Sequence, residues 1–398
     1  MTKWLTAILV LVAACSAQGA TWRVERDGSG DYSVIQDAVD AAASGDTILI
    51  GPGRYDEGKI VTTAGWTEKV RVLVTQAELT LIGAGPDQTI IGPSTPYDRT
   101  VQGDDRGIVT GPYFGNYRVW VMGIGFENMW GGVVGTSAPD TEIDNCRFLG
   151  SYHGVVSSSN ADLKVSNCDF QYIDSRGLGI LLYTNSMNNV EVWNCNFTLV
   201  DNGPGYQVAV QFDTTLDVNI HDCNFFAGKY GLQFSGTWGS VAEVANCHFS
   251  GQSQNGLILK GLVSALVHDC LFDQQGTAIY AGGYLQNGVL MSEADIQRVV
   301  IQDVQDSAID LYAMGDLRVN DSYLAHGATY TIQEVFNKDA AAGLPVLDLT
   351  NNDWGTTDAE TIASWIHLVY YEADFIPYVG QPVGNEAVGW GDLKAQFR

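Results

Sequence analysis

The chain has 398 residues, 45% of them hydrophobic, with 20 Lys and Arg against 46 Asp and Glu and a formal net charge of −26. That length allows a large buried core. The charge excludes a nucleic-acid-binding surface, which needs clustered cations to meet phosphates, and opposes an acidic polymer such as polyuronate unless a bound cation mediates.

Residues 1–20 read as an export signal, with Lys3 as the positive end, Trp4 to Ala14 as the apolar run and Ala17-Gln18-Gly19-Ala20 as a small-residue exit. The apolar run is too short for a permanent membrane helix. Val12-Ala13-Ala14-Cys15 also resembles a bacterial lipoprotein box, which would place a lipid anchor on Cys15. The expected location is therefore secreted or on a bacterial cell surface. A short helix follows, with Ser33 and Gln36 placed as a capping box, an apolar face of Ile35, Ala38, Val39 and Ala42, and Gly45 as its stop. Such a helix suits an N-terminal cap over the open end of a stack of strands.

A tetrad of Asn or Asp, Cys, any residue and Phe then recurs six times, at Cys146, Cys168, Cys195, Cys223, Cys247 and Cys270, between 22 and 28 residues apart. A period in this range signals a solenoid. In Val190-Glu191-Val192-Trp193-Asn194-Cys195-Asn196-Phe197, the valines alternate inward along one strand and Cys195 and Phe197 along the next. Asn194 falls at the bend between them, where a left-handed backbone is needed and Asn or Asp tolerates it best. A further short apolar strand follows each tetrad, so the reading is all-β: a right-handed parallel β-helix over residues 21–378. Cysteines at one position of successive coils form a column roughly 4.8 Å apart. A ladder of buried free thiols is therefore expected rather than three disulfides. Zinc is disfavoured because no CxxC or HxxxH spacing occurs. Looser coils run through Asp303-Val304, Asn320-Asp321-Ser322-Tyr323 and Asn351-Asn352-Asp353-Trp354-Gly355. A closing helix is placed at Thr361 to Val369, and residues 379–398 form a tail.

Asp27-Gly28-Ser29-Gly30-Asp31-Tyr32 through Val39, Leu81 through Ile91 and Gly125-Phe126-Glu127-Asn128 resemble pectin methylesterases and other right-handed β-helix proteins of the pectate lyase type. Asn352-Asp353-Trp354-Gly355 resembles the ending of the broader bacterial group. This implies the fold and, more weakly, an association with carbohydrate. The esterase pattern fails where it carries chemistry. In Cys146-Arg147-Phe148-Leu149-Gly150-Ser151-Tyr152-His153, Tyr152 and His153 stand where that family has Gln and its acid Asp, while its earlier Gln falls near Trp130. The next coil offers only Asp174-Ser175-Arg176 near the nucleophile position, and such hydrolysis needs a pair of carboxylates. Pectate lyase calcium clusters and polygalacturonase Asn-Thr-Asp and Gly-His-Gly blocks are also missing.

Outward columns drawn from strand alternation run Val156, Leu181, Ala209, Gln233, Ile258, Tyr280, Asp310, and then Ser158, Tyr183, Gln211, Ser235, Lys260, Gly282, Tyr312. Neither gathers a nucleophile with its base. The candidates for any residual catalysis are Asp174, Arg176 and His153. Tyr183, Tyr206, Tyr230 and Trp238, on or beside longer turns, are the rings best suited to stack on sugar faces. His221 and His268 share a place before Asp-Cys, two coils apart, which makes them weak candidates for metal ligands. Acidic turns such as Asp201-Asn202-Gly203 offer Ca²⁺ a weak site; no other cofactor is expected. The functional expectation is an exported protein that binds glycan along its coils, with a polysaccharide or the cell envelope as partner and no recognisable catalytic site. The alternatives are a structural or adhesive envelope solenoid and a divergent polysaccharide lyase or hydrolase.

Overall fold

The computed structural model describes residues 19–379, apart from 64–65, 77, 99–104, 111–116, 136–138, 159–161, 172–178, 186–188, 200–206, 214, 216, 236–239, 262–263, 284, 287–288, 291, 313 and 335–345. Each coil lays one short strand in each of three long sheets, of 14, 11 and 13 strands. The first sheet runs from Thr21–Val24 to Glu372–Asp374, the second from Gly53–Tyr55 to Tyr323–Leu324, and the third from Lys59–Thr63 to Ile366–His367. One coil shows the plan. Asn189–Trp193 lies in the first sheet, Asn196–Thr198 in the second and Gln207–Asp213 in the third. Neighbouring coils pair in parallel, and among the described residues only two hairpins, Lys59–Thr63 with Trp66–Val74 and Leu285–Gln286 with Val289–Leu290, are antiparallel.

The tetrads build the turn from the first sheet to the second. Asn145, Asn167, Asn194, Asp222, Asn246 and Asp269 hold φ between 49° and 56°, the left-handed bend that their side chains favour. The cysteine that follows each is buried and free. The amides of Cys146, Cys168 and Cys247 each lie 3.4 Å from the sulfur of the cysteine one coil on. Two residues beyond each cysteine stand Phe148, Phe170, Phe197, Phe225, Phe249 and Phe272, which with Phe126 of the preceding coil stack face to face, with centroids 4.5–5.1 Å apart and ring planes within 14°. The strand spacing thus matches the ring spacing, so one residue type fills the core coil after coil.

Three local expectations need correction. The N-terminal helix covers Ile35–Ala41, its N-cap is Val34, and no side chain caps it. Gln36 instead reaches the third sheet: Leu73 N–H donates to its Oε1 at 2.7 Å, while Gln76 Nε2 donates to Val39 O. The residue assigned to the capping box docks the helix onto the solenoid. The helix also stops before Gly45, because Ala42 is already extended. The closing helix spans Ala359–Trp365, and Ile366–His367 returns to strand and pairs with the third sheet.

The outward columns of the third sheet are also displaced in two coils. Val156 is level with Tyr183, Gln211, Gln233, Ile258, Tyr280 and Asp310. Ser158 is level with Asn185, Asp213 and Ser235. Leu181 and Ala209 therefore do not belong to the first column, nor Tyr183 and Gln211 to the second. The strands Gly179–Asn185 and Gln207–Asp213 follow longer connections, so counting from the tetrad places them two residues out of register.

Candidate functional site

The outer face of the first sheet carries a trough. One hollow of about 440 Å³ is lined by Asp162, Lys164, Asn189, Glu191, Asp217, Asn219, Val241 and Glu243 together with backbone of the same strands. A second, of about 230 Å³, is lined by Arg118, Trp120, Asp140, Thr141, Glu142, Asp162 and Lys164. The two share Asp162 and Lys164, so the depression is continuous across the strands from Tyr117–Met122 to Val241–Ala245. Six strands at a spacing of ~4.8 Å give it a length of roughly 24 Å.

Its side chains come from strict alternation. Trp120, Glu142, Lys164, Glu191, Asn219 and Glu243 occupy one register position on successive coils. Two residues along, and so on the same face, stand Ser166, Trp193, His221, Ala245 and His268. Trp120 Nε1 donates to Glu142 Oε2 at 3.1 Å, and Lys164 Nζ lies 3.6 Å from Glu191 Oε2. Asn189 Nδ2 donates to Asp162 Oδ1 at 2.9 Å. The Trp193 and His221 rings lie parallel, 6.2 Å apart and 11° from coplanar. The trough therefore offers amide and carboxylate groups and the Trp120 ring, and the Trp193–His221 pair stands two residues along the same strands.

At the C-terminal end of the trough His268 sits between two carboxylates, Nδ1 2.7 Å from Asp269 Oδ2 and Nε2 3.1 Å from Glu243 Oε1. Arg298 clamps Asp269 with Nε and Nη2, both at 2.8 Å, and holds its pKa below the usual carboxylate value. Burial disfavours the charged imidazole, but the bonds to Asp269 and Glu243 outweigh it and raise the pKa of His268 above 6.5. A raised folded pKa means that this stabilisation is complete below the unfolded value and fades as pH rises through the folded one. His268→Gln will accordingly cost stability at pH 5.5 and little at pH 9. The difference will stay within about 1 kcal/mol, because solvent screens a partly exposed pair; parallel urea titrations at the two pH values measure it.

The residues expected from sequence fare unequally. Asp174, Arg176, Tyr206, Trp238 and the Asp201-Asn202-Gly203 turn lie outside the described residues. His153 is on the third sheet, level with Gly131, its ring 4.8 Å from Trp130 and 4.5 Å from Tyr152. The Arg106 guanidinium covers the same indole at 4.6 Å and pairs with Glu68 at 2.7 Å. His153 and the trough thus occupy different sheets. Tyr183 is level with Val156 and Gln211, whereas Tyr230 is level with Val208 and Asn255, so they do not form one column. Tyr230 Oη donates to Gln254 Oε1, and burial raises its pKa. His221 and His268 are separated by Ala245 and each bonds the Asp that follows it. Among the described residues no three His, Cys, Asp or Glu groups are placed to hold a metal ion.

Sequence reasoning missed the trough itself. The signal was present in the residue three places before each bend, as in Glu191 and Asn219 beside Trp193 and His221.

Three stacked parallel sheets joined by left-handed bends define a right-handed parallel β-helix protein. Residues 106–211 match the family described as "Right handed beta helix region". The chain is 26% identical over 215 residues to Probable pectinesterase A of Aspergillus flavus and equally to that of Aspergillus oryzae, covering 52% of this chain and 62% of each relative. It thus spans less than two thirds of the length of the curated relatives it matches. The catalytic unit of a thermostable α-1,3-glucanase from Streptomyces thermodiastaticus superposes with a TM-score of 0.56 over 89% of this chain and 67% of that one. At 13% identity that likeness concerns the fold alone. Among the described residues no helix is long and apolar enough to cross a membrane.

Proposed function

We propose that this is an exported carbohydrate-binding protein that holds a neutral polysaccharide along the outer face of the first sheet. The carrying observation is the continuous trough from Trp120 to Glu243, long enough for several sugar residues. Its amides and carboxylates, Asn189, Asn219, Glu191 and Glu243 among them, suit hydroxyl groups, and the Trp193–His221 ring pair, two residues along the same strands beside the lining, suits an apolar sugar face. The lining also selects the ligand class. Asp140, Glu142, Asp162, Glu191, Asp217 and Glu243 face only Arg118 and Lys164, a balance that repels uronate polymers. Carbohydrate-active relatives on the same scaffold support the ligand class without fixing the polymer.

The test is binding of the purified protein to neutral and acidic polysaccharides. Trp193→Ala with Asn219→Ala removes one stacking surface and one side-chain amide, each worth about 1 kcal/mol, so affinity falls roughly tenfold or more. Lys260→Ala, exposed on the third sheet, serves as the control and leaves binding unchanged.

A further inference from the structure

Asp46, at the start of the first sheet, is a buried residue with a relative exposure of 4%. It accepts from Ala20 N at 2.6 Å, Trp22 Nε1 at 2.9 Å and Ala43 N at 2.8 Å. Burial alone would raise its pKa; the three donors outweigh that and keep it low, so it is ionised. Yet among the described residues no Lys, Arg or His forms an ion pair with it. A buried charge held only by neutral donors is costly, and a cation at one of those donor positions would offset the cost.

Ala20 is the donor that can become a cation. Its carbonyl accepts from Thr47 N–H at 2.8 Å, so it is already anchored at the head of the first sheet. The residue before it has no room for a side chain: a Cβ on Gly19 would lie 1.8 Å from the Gly45 carbonyl oxygen. The sequence places small residues, Ala17 and Gly19, third and first before the Gly19–Ala20 bond. A cut one residue later would put Gln18 at the third place and would remove both hydrogen bonds of Ala20.

We propose that export processing cuts between Gly19 and Ala20, and that the new α-ammonium group of Ala20 forms an ion pair with Asp46. A signal-type peptidase hydrolyses the bond with one water molecule. Gly19 leaves with the carboxylate, and the amine of Ala20 takes up a proton at neutral pH, where an α-amino group has a pKa near ~8. Processing thereby turns a neutral amide donor into the missing counter-charge, and the mature fold is more tightly closed at its first strand than the precursor.

Expression of the chain from Met1 in a secreting bacterial host, followed by intact-mass analysis of the exported product, tests the position. The expected mass is that of residues 20–398 without a fatty acid. A product beginning at Thr21, at any earlier residue, or at an acylated Cys15 overturns the proposal. Thermal melting tests the ion pair, using the Ala20-ended protein and a chain that keeps residues 16–19, each with and without Asp46→Asn. The Ala20-ended protein should melt about 2 °C higher than the extended one, and the gap should close in the Asp46→Asn pair. Equal melting of the two Asp46 forms, or a gap that survives Asp46→Asn, overturns it.

Discussion

Replacing Phe197 by alanine will lower the unfolding free energy by about 3–5 kcal/mol. Phe197 is fully buried and stacks between Phe170 at 4.6 Å and Phe225 at 5.1 Å. The hole left behind cannot collapse, because the strands on either side are held at the spacing of the backbone hydrogen bonds. Asn196 N bonds Cys168 O and Asn224 N bonds Cys195 O, both at 2.9 Å. Phe197→Leu keeps most of the volume and should cost ~1.5 kcal/mol or less. Denaturant unfolding followed by circular dichroism measures both variants. A solenoid unfolds through nearest-neighbour contacts, so the loss should spread to coils adjoining the cavity, visible as faster amide exchange there. A cost below about 1 kcal/mol for the alanine variant would show that the ring column fills space without carrying the fold.

Asp105→Ala should destabilise the protein by a comparable amount, about 3–5 kcal/mol. Asp105 and Arg71 expose only 3% and 2% of their side chains. Arg71 Nε donates to Asp105 Oδ1 at 2.9 Å, Nη2 completes the fork on Oδ2, and Nη1 reaches the Asp56 carbonyl. Truncating the acid strands a guanidinium where water does not reach, which is why the cost exceeds that of a surface pair. The double replacement Arg71→Met with Asp105→Leu removes both charges and should recover most of the loss. A double-mutant cycle on urea midpoints reads the coupling. Single and double variants of equal stability would contradict the assignment. The pair also matters locally: the Asp105 carbonyl accepts from Trp130 N–H at 2.7 Å, next to the Arg106–Trp130–His153 cluster.

The coils were legible where one residue type does one physical task. Asn and Asp at the bends, Cys behind them and Phe two places on are each the residue that their backbone angle or core volume asks for. The signal fades where the same task is done by other residues. Arg298 has φ 51° and turns its coil as the asparagines do, with Val299 and Ile301 in place of Cys and Phe. Nothing in the propensity of arginine announces that; its fork on Asp269 holds it there. The ladder likewise continues past the last cysteine through Val299 N to Ser322 Oγ at 3.1 Å and Ser322 N to Asn352 Oδ1 at 3.0 Å. These are different side chains in the same slot, tied by hydrogen bonds that a sequence pattern does not display. Gln36 failed as a capping residue for a related reason, since its partner Leu73 is distant in sequence.

The site was less legible than the rod. A trough on a solenoid is made by residues one coil apart, and it appears only when the register of every strand is known. For the third sheet, connections of unequal length shifted that register by two residues. For the first sheet the alternation is regular, and Glu191, Asn219 and Glu243 fall in line without further information. The aromatic residues of the turns are conspicuous singly. The trough is built from ordinary polar residues whose meaning lies in their alignment.

The most direct test of the glycan-binding account is calorimetric titration of the purified protein with a panel of neutral and uronate polysaccharides, repeated with the Trp193→Ala, Asn219→Ala double variant and with Lys260→Ala. The account predicts saturable binding to at least one neutral polymer, weaker binding to the uronates, a loss of about tenfold or more in the trough variant, and no change in Lys260→Ala. Binding to none of the polymers, or a trough variant that binds as tightly as the unaltered protein, would contradict it.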